Sequence, residues 1–119
     1  MPVTVVGFDK LQAFIENLPN IIKKSADDIM GVGAEMMLSE AQRLVPVRTG
    51  TLQRSIRVVH RGLADWQVGS IIYYAGYVEY GTRFQMAQPY LSPAYYLVEP
   101  RVRSAVFSVI DEATVEWSL

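Results

Sequence analysis

Residues 56–70 read IRVVHRGLADWQVGS, and their period decides the fold class. Ile56, Val58 and His60 alternate with Arg57, Val59 and Arg61, and the alternation resumes at Trp66, Val68 and Ser70. A two-residue period puts successive side chains on opposite faces, the pattern of a strand with one buried face. Residues 62–65 supply a turn between the two runs, so the stretch predicts an antiparallel hairpin. His60 is the only histidine. No serine or carboxylate close in sequence stands out as its partner, so it reads as an ordinary strand residue rather than a general base.

Upstream of the hairpin the period changes. In residues 21–45 the positions Ile22, Ala26, Ile29, Gly33, Met37, Ala41 and Leu44 recur at steps of three and four. Charged and polar residues fall mostly off that line, so a long amphipathic helix is predicted. Gly31 and Gly33 inside it each cost about 1 kcal/mol relative to Ala. That cost is met either by a close backbone crossing or by a weak, bendable turn, and the sequence leaves both open. Met36 and Met37 read as core side chains. Pro46 ends the helix, and Thr49, Gly50 and Thr51 make a polar turn, so residues 45–55 form a corner between helix and hairpin.

The flanks complete the outline. Residues 3–8 are β-branched and apolar around Gly7 and predict a first strand, after which Asp9 caps a short helix that Pro19 closes. Residues 71–80 follow the hairpin; Tyr73, Tyr77 and Tyr80 stand at helical spacing there, yet a continued strand fits as well, and periodicity leaves both readings open. Residues 81–93 predict an irregular excursion, with Ser92 as N-cap and Pro93 at the first position of a last helix. Pro100 is expected to kink or restart that helix, while Val102, Val106, Val109, Ala113 and Trp117 hold one face beyond it. Segregated strands and helices imply an α+β fold, a small antiparallel sheet with its hairpin packed against the long helix and the C-terminal helix.

Composition bounds the function. A chain of 119 residues, half of them apolar, fits one domain spanning residues 1–119. It has no cysteine, which removes thiolate metal sites and Cys nucleophiles. A net charge of −1 is not that of a dedicated nucleic-acid binder. The start lacks the basic flank and apolar run of a signal peptide, and no apolar stretch reaches the length of a membrane span, so a soluble cytosolic protein is expected. Gly31-Val32-Gly33 lacks the third glycine of a dinucleotide fingerprint and lies inside the helix. Asp27 and Asp28 are consecutive on that helix and face different directions, which does not support paired-carboxylate catalysis. No catalytic residue, metal or cofactor is expected.

Two anomalies remain. Arg43, Arg48, Arg54, Arg57 and Arg61 lie within residues 43–61, which contain no acidic residue. Guanidinium groups suit phosphate and carboxylate alike, so this patch reads as a contact for nucleic acid, for an acidic neighbouring subunit, or as a plain solvated face. All seven tyrosines lie in residues 73–96, together with Phe84. So many rings exceed what a small core hides; about half are expected inside, the rest at a protein interface.

Three blocks carry a resemblance: Val45-Pro46-Val47-Arg48-Thr49-Gly50-Thr51-Leu52-Gln53-Arg54-Ser55-Ile56, then Tyr77-Val78-Glu79-Tyr80-Gly81-Thr82, then Met86-Ala87-Gln88-Pro89-Tyr90-Leu91-Ser92-Pro93-Ala94. In this order, framed by a long helix and a terminal helix, they resemble a family of small tailed-phage and prophage neck, head-tail joining and tail-completion proteins. The resemblance implies a structural, non-catalytic virion component: a hexameric or dodecameric ring between capsid and tail. It would be assembled in the host cytoplasm beside head-closure and tail-tube proteins, with passing contact to DNA in the channel. A ring needs two different faces on each subunit, and the tyrosine excursion and the basic corner are the candidates. The expected interface residues are Arg48, Arg54, Arg57, Arg61, Tyr77, Glu79, Tyr80, Phe84 and Tyr90, with Thr49 or Thr51 capping the corner and Glu79 pairing with an arginine. The alternative is a small nucleic-acid-binding or ribonuclease-like toxin protein using the patch at residues 48–61.

Overall fold

A computed structural model describes residues 4–46 and 50–118, with side chains through residue 111. The element order is β1 (Thr4–Gly7), α1 (Asp9–Ile15), α2 (Asn20–Leu44), α3 (Thr51–Ser55), β2 (Arg57–Gly62), β3 (Asp65–Ser70), α4 (Ala75–Tyr80) and α5 (Leu91–Ser118). The strands form one antiparallel sheet in the order β1-β3-β2, with Val6 and Val58 flanking Val68. This is the expected α+β class, with the hairpin where the alternation placed it.

The long helix buries a broader stripe than its sequence line, because it packs on two partners. Met30, Gly31 and Ala34 are buried besides Ile22, Ala26, Gly33, Met37 and Ala41. Both glycines mark close crossings, which settles the alternative the sequence left open. A Cβ on Gly31 would stand 2.8 Å from the Trp66 ring of β3, and one on Gly33 would collide with the Val102 side chain of α5. Bare backbone at these two points lets sheet and helix both close on α2.

One reading the sequence left open, at residues 71–80, is settled, and three local expectations are corrected. Residues 75–80 are helical, because Ala75 and Glu79, one turn apart, are the positions buried against the body. Pro100 does not interrupt α5. Pro100 and Tyr96 are both exposed, so the Tyr96 carbonyl that loses its helical partner lies on the solvated side. Finally, α5 begins at Leu91 rather than after a Ser92 cap, for a reason that lies in Glu79 and is described below. In α1 the cap position is Phe8, with Asp9 the first helical residue. Among the described residues no helix is long and apolar enough to cross a membrane.

Candidate assembly surface

The described end of the corner, residues 50–55, is tied to both α2 and the hairpin. Gly50 adopts the left-handed conformation, φ 79°, which a residue with a Cβ reaches only under strain, and it sits at the start of α3. Gln42 and Gln53 exchange side-chain bonds with each other's backbone carbonyls, at 3.3 and 2.9 Å, pinning α3 to α2. The Ser55 hydroxyl lies 2.7 Å from that of Ser70, which itself accepts the Ile72 N–H, so the corner is also tied to the end of β3. Arg48 and Thr49 fall outside the described residues. Arg54 lies over Gly50, its guanidinium occupying the space a Cβ there would need. Arg54, Arg57 and Arg61 are all exposed, and none is within ion-pair distance of a carboxylate among the described residues. Arg43 instead pairs with Glu40.

The tyrosine segment divides sharply between inside and outside. Tyr73, Tyr77 and Tyr80 share the outer face of α4 and its leading turn, all three exposed. Beyond Gly81 the chain bulges outward and returns: Thr82 pairs with Gln85, and the Gln88 N–H reaches the Val78 carbonyl at 2.8 Å. Gly81, φ 78°, permits that return, since a Cβ there would meet the Ala87 N at 2.7 Å. At the tip Phe84 is 85% exposed, with the Arg83 guanidinium 4.7 Å from its ring centroid, and Met86 is as open as Phe84.

Glu79 and Tyr90 belong to the interior, which corrects both as interface residues. The Glu79 carboxylate is 3% exposed and accepts the backbone N–H groups of Tyr90, Leu91 and Ser92 at 3.2, 2.6 and 3.4 Å. It therefore caps α5 from a distant position, satisfying amides that a helix start leaves unpaired and placing negative charge at the positive end of the helix. This is why Ser92 is not needed as the cap; among the described residues Glu79 pairs with no arginine. Tyr90 is fully buried, and its hydroxyl donates to the Ala75 carbonyl at 3.1 Å. Burial first, then the nearby Glu79 and Tyr80, push its phenol well above the ordinary range, so it stays neutral. The Glu-Tyr-Gly-Thr block is thus mainly a device for locking α4 onto α5.

Corner and excursion meet. Pro46, Gly50 and Leu52 line one side of a groove of about 720 Å³, and Tyr74, Tyr77, Val78, Gln85 and Gln88 line the other. The two regions expected to serve as separate faces thus adjoin on one surface. Tyr73 and Met86 are exposed in the same segment, outside the expected set; the helical spacing of Tyr73 with Tyr77 and Tyr80 was the signal for the first, and Met86 carries none.

A polar cluster that the sequence did not disclose supports the hairpin from behind. One oxygen of Asp27, 5% exposed, accepts the Ala64 N–H at 2.7 Å and the Trp66 indole N–H at 2.9 Å, and lies 3.1 Å from His60 Nε2. His60 stacks on Trp66 with centroids 3.8 Å apart. Burial alone would raise the Asp27 pKa, but the Ala64, Trp66 and His60 contacts outweigh it and hold the carboxyl below its usual value. The cluster fixes a turn in which Ala64 takes a positive φ of 62°.

No curated protein and no solved structure matches the chain significantly. A protein-family match covers residues 9–81, more than half the chain and including the corner, the hairpin and α4, with the description "Bacteriophage HK97-gp10, putative tail-component". This chain belongs to the HK97-gp10-like family of bacteriophage tail components.

Proposed function

We propose that the chain is a structural subunit that closes into a ring in the neck, between capsid and tail, where it joins head to tail or completes the tail. Membership of a tail-component family supports a structural, non-catalytic morphogenesis role in the virion. The observation that carries the finer reading is the set of exposed Tyr73, Tyr77, Tyr80, Phe84 and Met86 in one segment of the chain, with Tyr77 lining the groove. An apolar patch of this kind on a small soluble protein marks a protein contact, and tyrosine supplies large area at low rotamer cost. Assembly takes place in the host cytoplasm, and the neighbours are other copies, the head-closure protein above and the tail-tube protein below.

Light scattering on the purified chain, with electron microscopy of particles lacking it, tests this reading. Oligomers of fixed size, together with heads and tails that fail to join until the chain is added back, are expected. A strictly monomeric chain and normal particles in its absence would overturn it. Arg54, Arg57 and Arg61, without a carboxylate partner among the described residues, favour the second reading, nucleic-acid binding; it would show as DNA retention by the monomer with affinity falling steeply as salt rises.

A further inference from the structure

Corner and excursion adjoin on one surface, so a ring of this chain needs a second patch elsewhere for them to meet. Where α5 crosses α2, near Gly33 and Val102, a cleft of about 250 Å³ opens on the surface. Ile29, Val32 and Met36 of α2 line it with Val102 and Ala105 of α5, and Arg101 is the one charged residue in its wall. Val32 is 64% exposed, and Ala105 is exposed as well. A β-branched side chain lowers helix propensity, and at Val32 little burial within the subunit offsets that. Glu35, three residues on, is a neighbour of Val32 on the helix surface; it is exposed, with no ion-pair partner among the described residues. The excursion tip is the counterpart. Phe84 and Met86 stand in solvent, Arg83 lies against the Phe84 ring, and Arg83 has no carboxylate in ion-pair reach among the described residues. The two patches occupy different stations, since Val102 lies about 16 Å along α5 from its start at Leu91. One chain thus carries an apolar knob with a cation beside it and an apolar cleft with an acid beside it.

We propose that the excursion tip of one copy seats Phe84 in the cleft between α2 and α5 of the next copy, with Arg83 paired to Glu35. The contact joins different patches, so it is heterologous and closes into a ring when the rotation between neighbours allows. It rests on the ring reading above and supplies that reading with its second face. Burial of the ring provides the affinity, while the Arg83 to Glu35 pair sets the orientation in which the tip enters. An aromatic occupant also suits Arg101 in the cleft wall, because a guanidinium is attracted to the face of a ring.

Substitutions at both patches of the full-length chain test it. Val32→Glu places a charge in the cleft and Phe84→Ser removes the knob. Both positions are exposed, so thermal melts should stay within about 2 °C of wild type. Each variant is expected to need at least about tenfold higher concentration than wild type to assemble, by light scattering. Arg83→Glu and Glu35→Arg, each alone, set like charges against each other and should raise that concentration at least about fivefold at low salt. The chain carrying both reversals should assemble at the wild-type concentration, and this rescue separates a lost contact from a lost fold. Wild-type rings with a Val32→Glu or Arg83→Glu chain that assembles just as well, or with no rescue by the double reversal, overturn this contact and leave the ring reading standing. A wild-type chain that never assembles removes both. Should Phe84→Ser assemble normally while Val32→Glu does not, the cleft receives another part of the neighbouring copy and the proposal is wrong. It is equally wrong if Val32→Glu forms normal rings but fails to restore joining of heads to tails, for the cleft then serves a different virion protein.

Discussion

Asp27 shows how far a single residue can act from its place in the chain. It lies 37 positions from Ala64 and 39 from Trp66, yet one of its oxygens organises the hairpin turn. Removing it by Asp27→Ala leaves two donors unpaired behind the sheet, and each buried unsatisfied group costs about 1–3 kcal/mol, so a loss of about 2–4 kcal/mol is expected in urea unfolding. The pH dependence has a definite sign. The folded carboxyl titrates below its ordinary value of 3.8, so its contribution is complete above that pH and disappears as acid protonates the folded form. Unfolding curves of wild type and Asp27→Ala should therefore converge as the pH falls below about 4. An equal gap at pH 3 and pH 7 would show that the carboxylate charge plays no part. Sequence reading placed Asp27 and Asp28 on different faces, and Asp28 is indeed exposed, paired with Lys24 at 2.7 Å. It could not see the partners of Asp27, because side-chain bonds across tens of residues leave no trace in local periodicity.

At the scale of elements, α4 and α5 carry the tests. Glu79 supplies three acceptor contacts to the start of α5, so Glu79→Ala should cost about 2–3 kcal/mol of unfolding free energy, more than a solvent-exposed cap. Hydrogen exchange should localise the loss to the first turns of α5. Pro100 predicts the opposite sign: Pro100→Ala restores a helical N–H for the Tyr96 carbonyl, and an interior proline costs about 3 kcal/mol in a helix, so a rise of about 1–3 kcal/mol is expected. No gain in melting temperature would mean the helix has already absorbed the proline without cost. The long helix, the hairpin and the excursion were legible because each has one dominant period or a run of breakers. Residues 71–80 were not, since alternate and helical readings fit equally, and only packing of Ala75 and Glu79 against the body decides between them. The cap of α5 was missed for a related reason: the sequence offers Ser92 locally, while the group that does the capping arrives from α4.

For the whole molecule, the decisive distinction is between tyrosines that hold the subunit together and those left over. Tyr90 is enclosed and bonded to Ala75, whereas Tyr80 and Phe84 stand in solvent on α4 and at the excursion's tip. Seven rings in one segment announced a surplus but not its division, because a tyrosine's environment depends on which side of α4 it occupies. The two classes must respond oppositely. Tyr80→Ser/Phe84→Ser removes apolar surface that the lone subunit gains nothing by exposing, so its melting temperature should stay within about 2 °C of wild type, as for surface changes worth under about 0.5 kcal/mol. Assembly should be lost, since aromatic side chains in desolvated contacts carry a disproportionate share of interface energy. Tyr90→Ala should instead empty a buried site and cost about 3–5 kcal/mol, with any assembly defect following from the damaged fold. Light scattering beside thermal melts separates the cases. If the Tyr80/Phe84 variant assembles like wild type, these rings face water in the particle and a different surface holds neighbouring copies together.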